Sequence, residues 1–136
     1  MSFLLDTNVI SELRKRRCDP VVARWFAAVS DDDLFISVLV LGELRRGLES
    51  IRRRDPASAR ALDRWLLGVH ETFAARILPV DARVVDTWGR INVPNRLPAI
   101  DGLMAATALV HGLTLVTRNT ADVAASGVPL RNPWND

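Results

Sequence analysis

The chain has 136 residues, 49% of them hydrophobic, with 18 basic against 16 acidic side chains and a formal charge of +2. That length predicts one domain, residues 1–136, with a buried core, and the apolar fraction argues against wholesale disorder. No apolar run nears the roughly 18 residues of a membrane span, and Asp6 and Glu12 break up any leader-like amino terminus.

The single Cys18 excludes an intramolecular disulfide and fits a reducing, cytoplasmic setting. His70 and His111 stand apart with no cysteine pair, so a structural zinc site is not expected. Seventeen of the 18 basic residues are arginine, Lys15 being the exception, and they cluster at 14–17, 45–46 and 52–54. Such runs are either solvated helix faces or a surface for a phosphate backbone, to which the planar guanidinium is suited.

In chain order, Ser2 to Leu5 reads as a short strand, apolar without alternation and so buried on both faces. Asn8 or Ser11 is the expected cap of a short helix ending in the first basic run. Asp19-Pro20 starts a second helix; Val21, Val22, Trp25, Phe26 and Val29 form its apolar stripe, with Trp25 a core or dimer contact. Asp31 to Asp33 is a turn, and Leu34 to Ser37 a second strand. Val38 to Leu48 follows as a helix that Ser37 can cap. Asp55-Pro56 opens another helix, whose stripe is Leu62, Trp65, Leu66 and Val69. Ile77 to Val80 is a third strand; Asp81 can cap the helix after it, with stripe Val84, Val85, Trp88 and Ile91. Pro94 and Pro98 break the pattern before an Ala-rich helix, Gly102 to His111, that Gly112 ends. Leu113 to Val116 is a fourth strand, and Val128 to Leu130 a last apolar piece. Strands separated by helices predict a three-layer α/β/α sandwich around a mainly parallel sheet.

Three acids stand out. Asp6 ends the first strand, Glu43 lies among Val40, Leu41, Leu44 and Leu48, and Asp101 opens the Ala-rich helix. Buried acids are rare unless paired or bound to metal. Singly, each has a plain structural reading: a turn residue for Asp6, a helix cap for Asp101, and a partner of Arg46 for Glu43. Jointly they say more. Asp6 and Asn119 both follow strands, and Glu43 and Asp101 sit near helix starts, so all four can share the carboxyl edge of one parallel sheet, the usual place for ligands. Converging carboxylates need a cation, and hard oxygen donors favour Mg²⁺ or Mn²⁺. Beside arginines, such a site suits a phosphodiester.

The opening Leu4-Leu5-Asp6-Thr7-Asn8-Val9-Ile10-Ser11-Glu12, the block Glu43 to Gly47, Asp101 with Gly102 to Ala108, and Leu115 to Thr120 together resemble the PIN domain. The likeness is to bacterial VapC-type toxins and the related FitB group, whose ending Asn132 to Asp136 resembles. It implies a PIN-like α/β/α fold and a Mg²⁺- or Mn²⁺-dependent endoribonuclease, the toxin of a toxin–antitoxin pair. By the same resemblance Asp6, Glu43 and Asp101 are metal ligands, and the family's further acid falls on Asn119, which keeps an oxygen but loses a charge. Asp122 is a substitute ligand or a helix cap. Thr7, Asn8 and Thr117 orient carboxylates or water, and Arg45, Arg46 and Arg118 are the expected RNA contacts. The implied partners are RNA, a small antitoxin and a second copy of the chain; DNA is contacted only through the antitoxin.

Two other readings bear on the same residues. A dehalogenase-type phosphatase requires a second Asp where Asn8 stands, and a flap-type nuclease requires more chain. The alternative of a different class is a PIN-fold binding module with little nuclease activity, acting with its partner in a DNA-bound regulatory complex; Asn119 leans that way, and the three intact acids lean against it.

Overall fold

A computed structural model describes residues Met1–Asp136. Its strands are β1 Phe3–Leu5, β2 Leu34–Ser37, β3 Ile77–Leu78, β4 Thr114–Val116 and β5 Leu130–Arg131. Its helices are α1 Thr7–Arg14, α2 Pro20–Ala28, α3 Val38–Arg52, α4 Pro56–Thr72, α5 Ala82–Ile91, α6 Ala99–His111 and α7 Thr120–Val123. The strands form one sheet in the order β3-β2-β1-β4-β5, and every pairing is parallel. The expected sandwich is therefore observed, with a sheet wholly rather than mainly parallel.

Parallel pairing follows from the sequence pattern. Phe3, Leu4 and Leu5 are all buried, as a strand covered on both faces requires. From β1 the chain steps outward to β2 and β3, then returns across the sheet to β4 on the other side of β1. Crossovers in opposite directions put helices on both faces. They also leave a switch point beside β1, where open α/β sheets bind ligands. Asp6 continues the β1–β4 pairing, its N–H donating to Val116 O at 2.9 Å, before the chain turns into α1.

Asp6, Asp19, Ser37, Asp55 and Asp81 each cap the helix that follows, α1 to α5, by accepting from a backbone N–H in its first turn. The first corrects the sequence reading. Asp6, not Asn8 or Ser11, caps α1, because the strand ends directly at a residue with extended φ and ψ whose carboxylate reaches Thr7 N. Helix α6 begins after Pro98 with no side-chain cap, and Gly112, at φ +66°, ends it in a left-handed turn that glycine adopts freely.

Other differences are local. Helix α3 runs on to Arg52, since Glu49 and Arg52 pair along its surface. The third and fourth strands are shorter than expected. The last apolar piece pairs with β4 through Leu130 and Arg131, one position beyond Val128–Leu130. Trp25 is a core residue, 6% exposed, with Phe3 edge-on at 5.2 Å.

Two contacts set the framework of the site. The surface network Arg45–Asp63 (2.8 Å), Arg52–Asp63 (2.6 Å) and Arg45–Glu49 (3.2 Å) ties α3 to α4. Gly102 lets α6 close on α5: a Cβ there would stand 3.3 Å from Trp88 Nε1 and from Leu97 Cβ. That close approach brings Asp101, the preceding residue, to the sheet edge.

Candidate active site

Asp6 organises the site. Its side chain is nearly buried, at 6% exposed, because β1 delivers it to the middle of the sheet's carboxyl edge. Oδ1 accepts from Thr7 N at 2.7 Å; Oδ2 accepts from Thr117 Oγ1 at 2.7 Å and Asn8 Nδ2 at 3.2 Å. A carboxylate offers about four lone-pair positions, so Asp6 keeps acceptor capacity toward the cleft. Burial raises its pKa above the ordinary 3.8, opposed by the bonds from Thr117 and Thr7 and aided by the charge of Glu43.

Thr117 and Asn8 hold Asp6 in place. The Thr117 hydroxyl is buried and saturated: it donates to Asp6 and accepts from Asn8 Nδ2 (3.2 Å) and Asn119 N (3.0 Å). Asn8 uses both amide hydrogens, on Asp6 and Thr117, and its Oδ1 accepts from Arg118 N at 3.3 Å. These bonds lock the start of α1 to the segment after β4, some 110 residues away in sequence.

Glu43 enters from α3. It is the sixth residue of that helix, further in than a helix-start position, and is held by Thr7, whose hydroxyl donates to Glu43 Oε1 at 2.5 Å. The Glu43–Arg46 pairing is not formed. Asp101 enters from the first turn of α6. Its carboxyl is pushed up to about 6, first by burial, then by the charges of Asp6, Asp122 and Glu43.

Asp6, Thr7, Asn8, Glu43, Asp101, Arg118 and Asn119 line one cleft of about 410 Å³, together with Ser11, Glu12, Lys15 and Trp134. The structure thus gathers the four expected ligands and three of the expected supporting groups; Thr117 lies beneath. Asp122 is set apart. It is exposed in the first turn of α7, and the residue at that helix's cap position is Asn119, which makes no side-chain cap bond. Asp122 therefore acts on the site only through its charge, and its reading as a cap is corrected: it stands three residues too late. Arg45 does not line the cleft. Its guanidinium is held by Asp63 and Glu49 on the outer side of α3, and Arg46 is also outside.

Of the three arginines expected near RNA only Arg118 lines the cleft, and Lys15 lines it as well. Lys15 Nζ pairs with Glu12 at 3.0 Å, and Glu12 also accepts from Asp19 N at 2.9 Å. The Asp19 N–H and then the Lys15 ammonium hold Glu12 below the ordinary carboxylate range. Glu12, Lys15, Ser11 and Trp134 were not singled out as site residues from the sequence. A signal existed for three of them: Asn8, Ser11 and Glu12 fall at i, i+3 and i+4 on one face of the first helix, and Lys15, just past its end, is three residues beyond Glu12. Trp134 lies in the ending Asn132 to Asp136 that resembles the FitB group, but only the fold brings it to the site.

The donor set suits a hard divalent cation. Asp6, Glu43 and Asp101 have no ion-pair partner, and burial first, then neighbouring acids, raise the pKa values of Asp6 and Asp101. No three His, Cys, Asp or Glu side chains close on one point tightly enough to hold an ion unaided. An ion held by these residues would complete its coordination with water and substrate phosphate, as Mg²⁺ usually does.

Comparison with known proteins follows the same lines. The PIN domain family model matches residues 3–124. The chain is 34% identical to Toxin FitB of Neisseria gonorrhoeae over 98% of this chain and 99% of that one. It is also 34% identical to VapC ribonuclease Y4jK of Sinorhizobium fredii over 96% of each. Among solved structures, FitAcB from Neisseria gonorrhoeae superposes with a TM-score of 0.92 at 33% identity, covering 98% of this chain and 99% of that one. FitAB bound to an IR36 DNA fragment superposes at 0.89 with 31% identity, covering 97% and 95%. The chain therefore belongs to the PIN-domain family, and within it is similar to the FitB and VapC toxins.

Proposed function

We propose that the chain is a Mg²⁺- or Mn²⁺-dependent endoribonuclease that acts as the toxin of a toxin–antitoxin pair. The observation that carries the reading is the cleft itself: Asp6, Glu43, Asp101 and Asn119 line one cleft at the carboxyl edge of a parallel sheet, the three acids without ion-pair partners, and Lys15 and Arg118 line it with them. Hydrolytic relatives support it, one being named a VapC ribonuclease.

In this reading Asp6, Glu43 and Asp101 hold the cation, with Asn119 adding a neutral oxygen. The bound ion supplies charge to the scissile phosphate and lowers the pKa of the attacking water. Thr117 and Asn8 keep Asp6 in one rotamer, and Thr7 does the same for Glu43. Arg118 and Lys15 face the flanking phosphates. Asn119 in place of a carboxylate weakens any second ion.

The partners follow from the same likeness. An apolar groove of about 160 Å³ between α3 and α4, lined by Leu44, Leu48, Ile51, Leu62, Trp65 and Leu66, opens beside Thr7 and Glu43. It suits an apolar segment of a small antitoxin, whose own DNA-binding part accounts for DNA contact like that of the FitAB–DNA relative. A homodimer is part of the proposal.

The test is cleavage of a mixed single-stranded RNA pool by the purified chain with Mg²⁺, Mn²⁺ or EDTA, beside Asp6→Asn. Metal-dependent cleavage that the variant loses is the expected result. Equal cleavage by wild type and variant would remove Asp6 from the catalytic centre, and none by a folded wild type that binds Mn²⁺ would shift the assignment to a DNA-bound binding module.

A further inference from the structure

Among the side chains lining the acidic cleft, the one large apolar group is Trp134. It sits in a 3-10 turn, Pro133–Asn135, just after β5, and four interactions fix it. Pro133 is buried, Trp134 N donates to Asn132 Oδ1 at 3.0 Å, and Asn135 N donates to Asn132 O at 3.1 Å. The Arg131 guanidinium holds Asp136 at 2.6 Å beyond it. Strand β5 is in turn bonded to the residue after β4, Thr117 N donating to Arg131 O at 3.0 Å. The turn that carries the indole is therefore anchored beside Thr117 and Asn119, and the indole itself packs against the hydrophobic core.

Its face carries a second planar group. The Arg118 guanidinium lies over the Trp134 ring at 5.0 Å from the centroid. Arg118 is exposed and forms no ion pair, although acids line the same cleft. An anchored aromatic plane and an arginine without an ion pair, beside the proposed phosphodiester site, are the parts from which single-stranded nucleic acid sites are built: bases stack on aromatic faces and on guanidinium planes, and the fork takes phosphate.

We infer that Trp134 is the base-stacking platform for one unpaired nucleotide adjacent to the scissile phosphate, with Arg118 moving from the indole to the neighbouring phosphate as the base stacks. The inference rests on the ribonuclease reading above. It makes the substrate single-stranded at the cut, since a paired base has no free face to offer, and gives little preference among the four bases, because each presents a π-face.

The test compares wild type, Trp134→Phe and Trp134→Ala on a single-stranded RNA that wild type cleaves, and on a series of that RNA carrying one abasic nucleotide at each position in turn. Trp134→Ala should raise KM by roughly 5- to 100-fold with kcat within about twofold. Trp134→Phe, which keeps a ring in the same anchored turn, should stay within about fivefold of wild type and control for loss of the tail's packing. One abasic position next to the cut should raise wild-type KM by a similar factor and add nothing in Trp134→Ala, the coupling that identifies a contact. Wild-type cleavage with an unchanged KM in Trp134→Ala overturns the platform and leaves the nuclease standing. So does an abasic effect that simply adds to the substitution. Failure of wild type to cleave any RNA overturns both.

Discussion

Replacing Thr117 by valine removes one oxygen and keeps the shape. That oxygen makes three bonds: it donates to the Asp6 carboxylate at 2.7 Å and accepts from Asn8 Nδ2 at 3.2 Å and Asn119 N at 3.0 Å. A hydrogen bond to a charged, buried acceptor contributes about 1.5–3 kcal/mol, and a backbone N–H left without a partner adds about 1 kcal/mol or more. Asn8 keeps its second bond to Asp6, so its loss is minor. The sum is about 2–4 kcal/mol, which for a chain of this size lowers Tm by about 6–14 °C. Thr117→Ser keeps the hydroxyl and loses one buried methyl, costing about 1 kcal/mol. Thermal melts should therefore rank wild type, serine, valine. Mn²⁺ titration should show metal affinity reduced about 10- to 100-fold in the valine variant, with serine close to wild type. A valine variant as stable as the serine variant, or one that binds Mn²⁺ like wild type, would refute the idea that this hydroxyl positions Asp6.

Asp101→Asn should stabilise the metal-free protein in a pH-dependent way. The folded carboxyl titrates at about 6 against an ordinary 3.8, so between these values the fold holds a proton that the unfolded chain has released, and wild-type stability falls as pH rises through that window. The unscreened difference is about 3 kcal/mol, reduced by partial exposure to about 1 kcal/mol; Asn should raise Tm by about 3–4 °C at pH 7.5 and by nothing below pH 4, and a gap constant with pH would sink the explanation. Leu4→Ala, at a fully buried position in the central strand, should cost about 2–5 kcal/mol in denaturant unfolding; a loss under 1 kcal/mol would mean the core collapses around the gap. On the proposed function, Trp65→Ser, in the apolar groove, should weaken binding of the proposed antitoxin at least tenfold by calorimetry while RNA cleavage by the free chain stays within about twofold. Equal loss of both would place the groove in the substrate path instead.

Much of the architecture was legible in the chain because local chemistry states it directly. The unalternating Phe3-Leu4-Leu5 requires burial on both faces, and so a parallel strand. Aspartate or serine before the apolar stripes starts helices at Asp19, Ser37, Asp55 and Asp81, and Gly112 ends one. Acids in apolar surroundings drew attention to Asp6, Glu43 and Asp101 because an uncompensated buried charge is expensive wherever it occurs.

The identity of each acid's partners could not be read that way. A cap is decided by which oxygen reaches the first free N–H, and Asp6 won over Asn8 and Ser11 only because β1 ends one residue before the helix. Arg45 looked available for RNA beside Glu43 because i+2 neighbours are close in sequence. On a helix they face apart, and α4 presented Asp63 on the outer side. Arg118 and Trp134, sixteen residues apart and in different elements, meet over the cleft only because β5 pairs beside β4. Composition and periodicity determined the layers and the chemistry available to them. The tertiary structure alone decided which charges stay unpaired, because pairing depends on distance in space, and a parallel sheet brings together residues that lie more than a hundred positions apart along the chain.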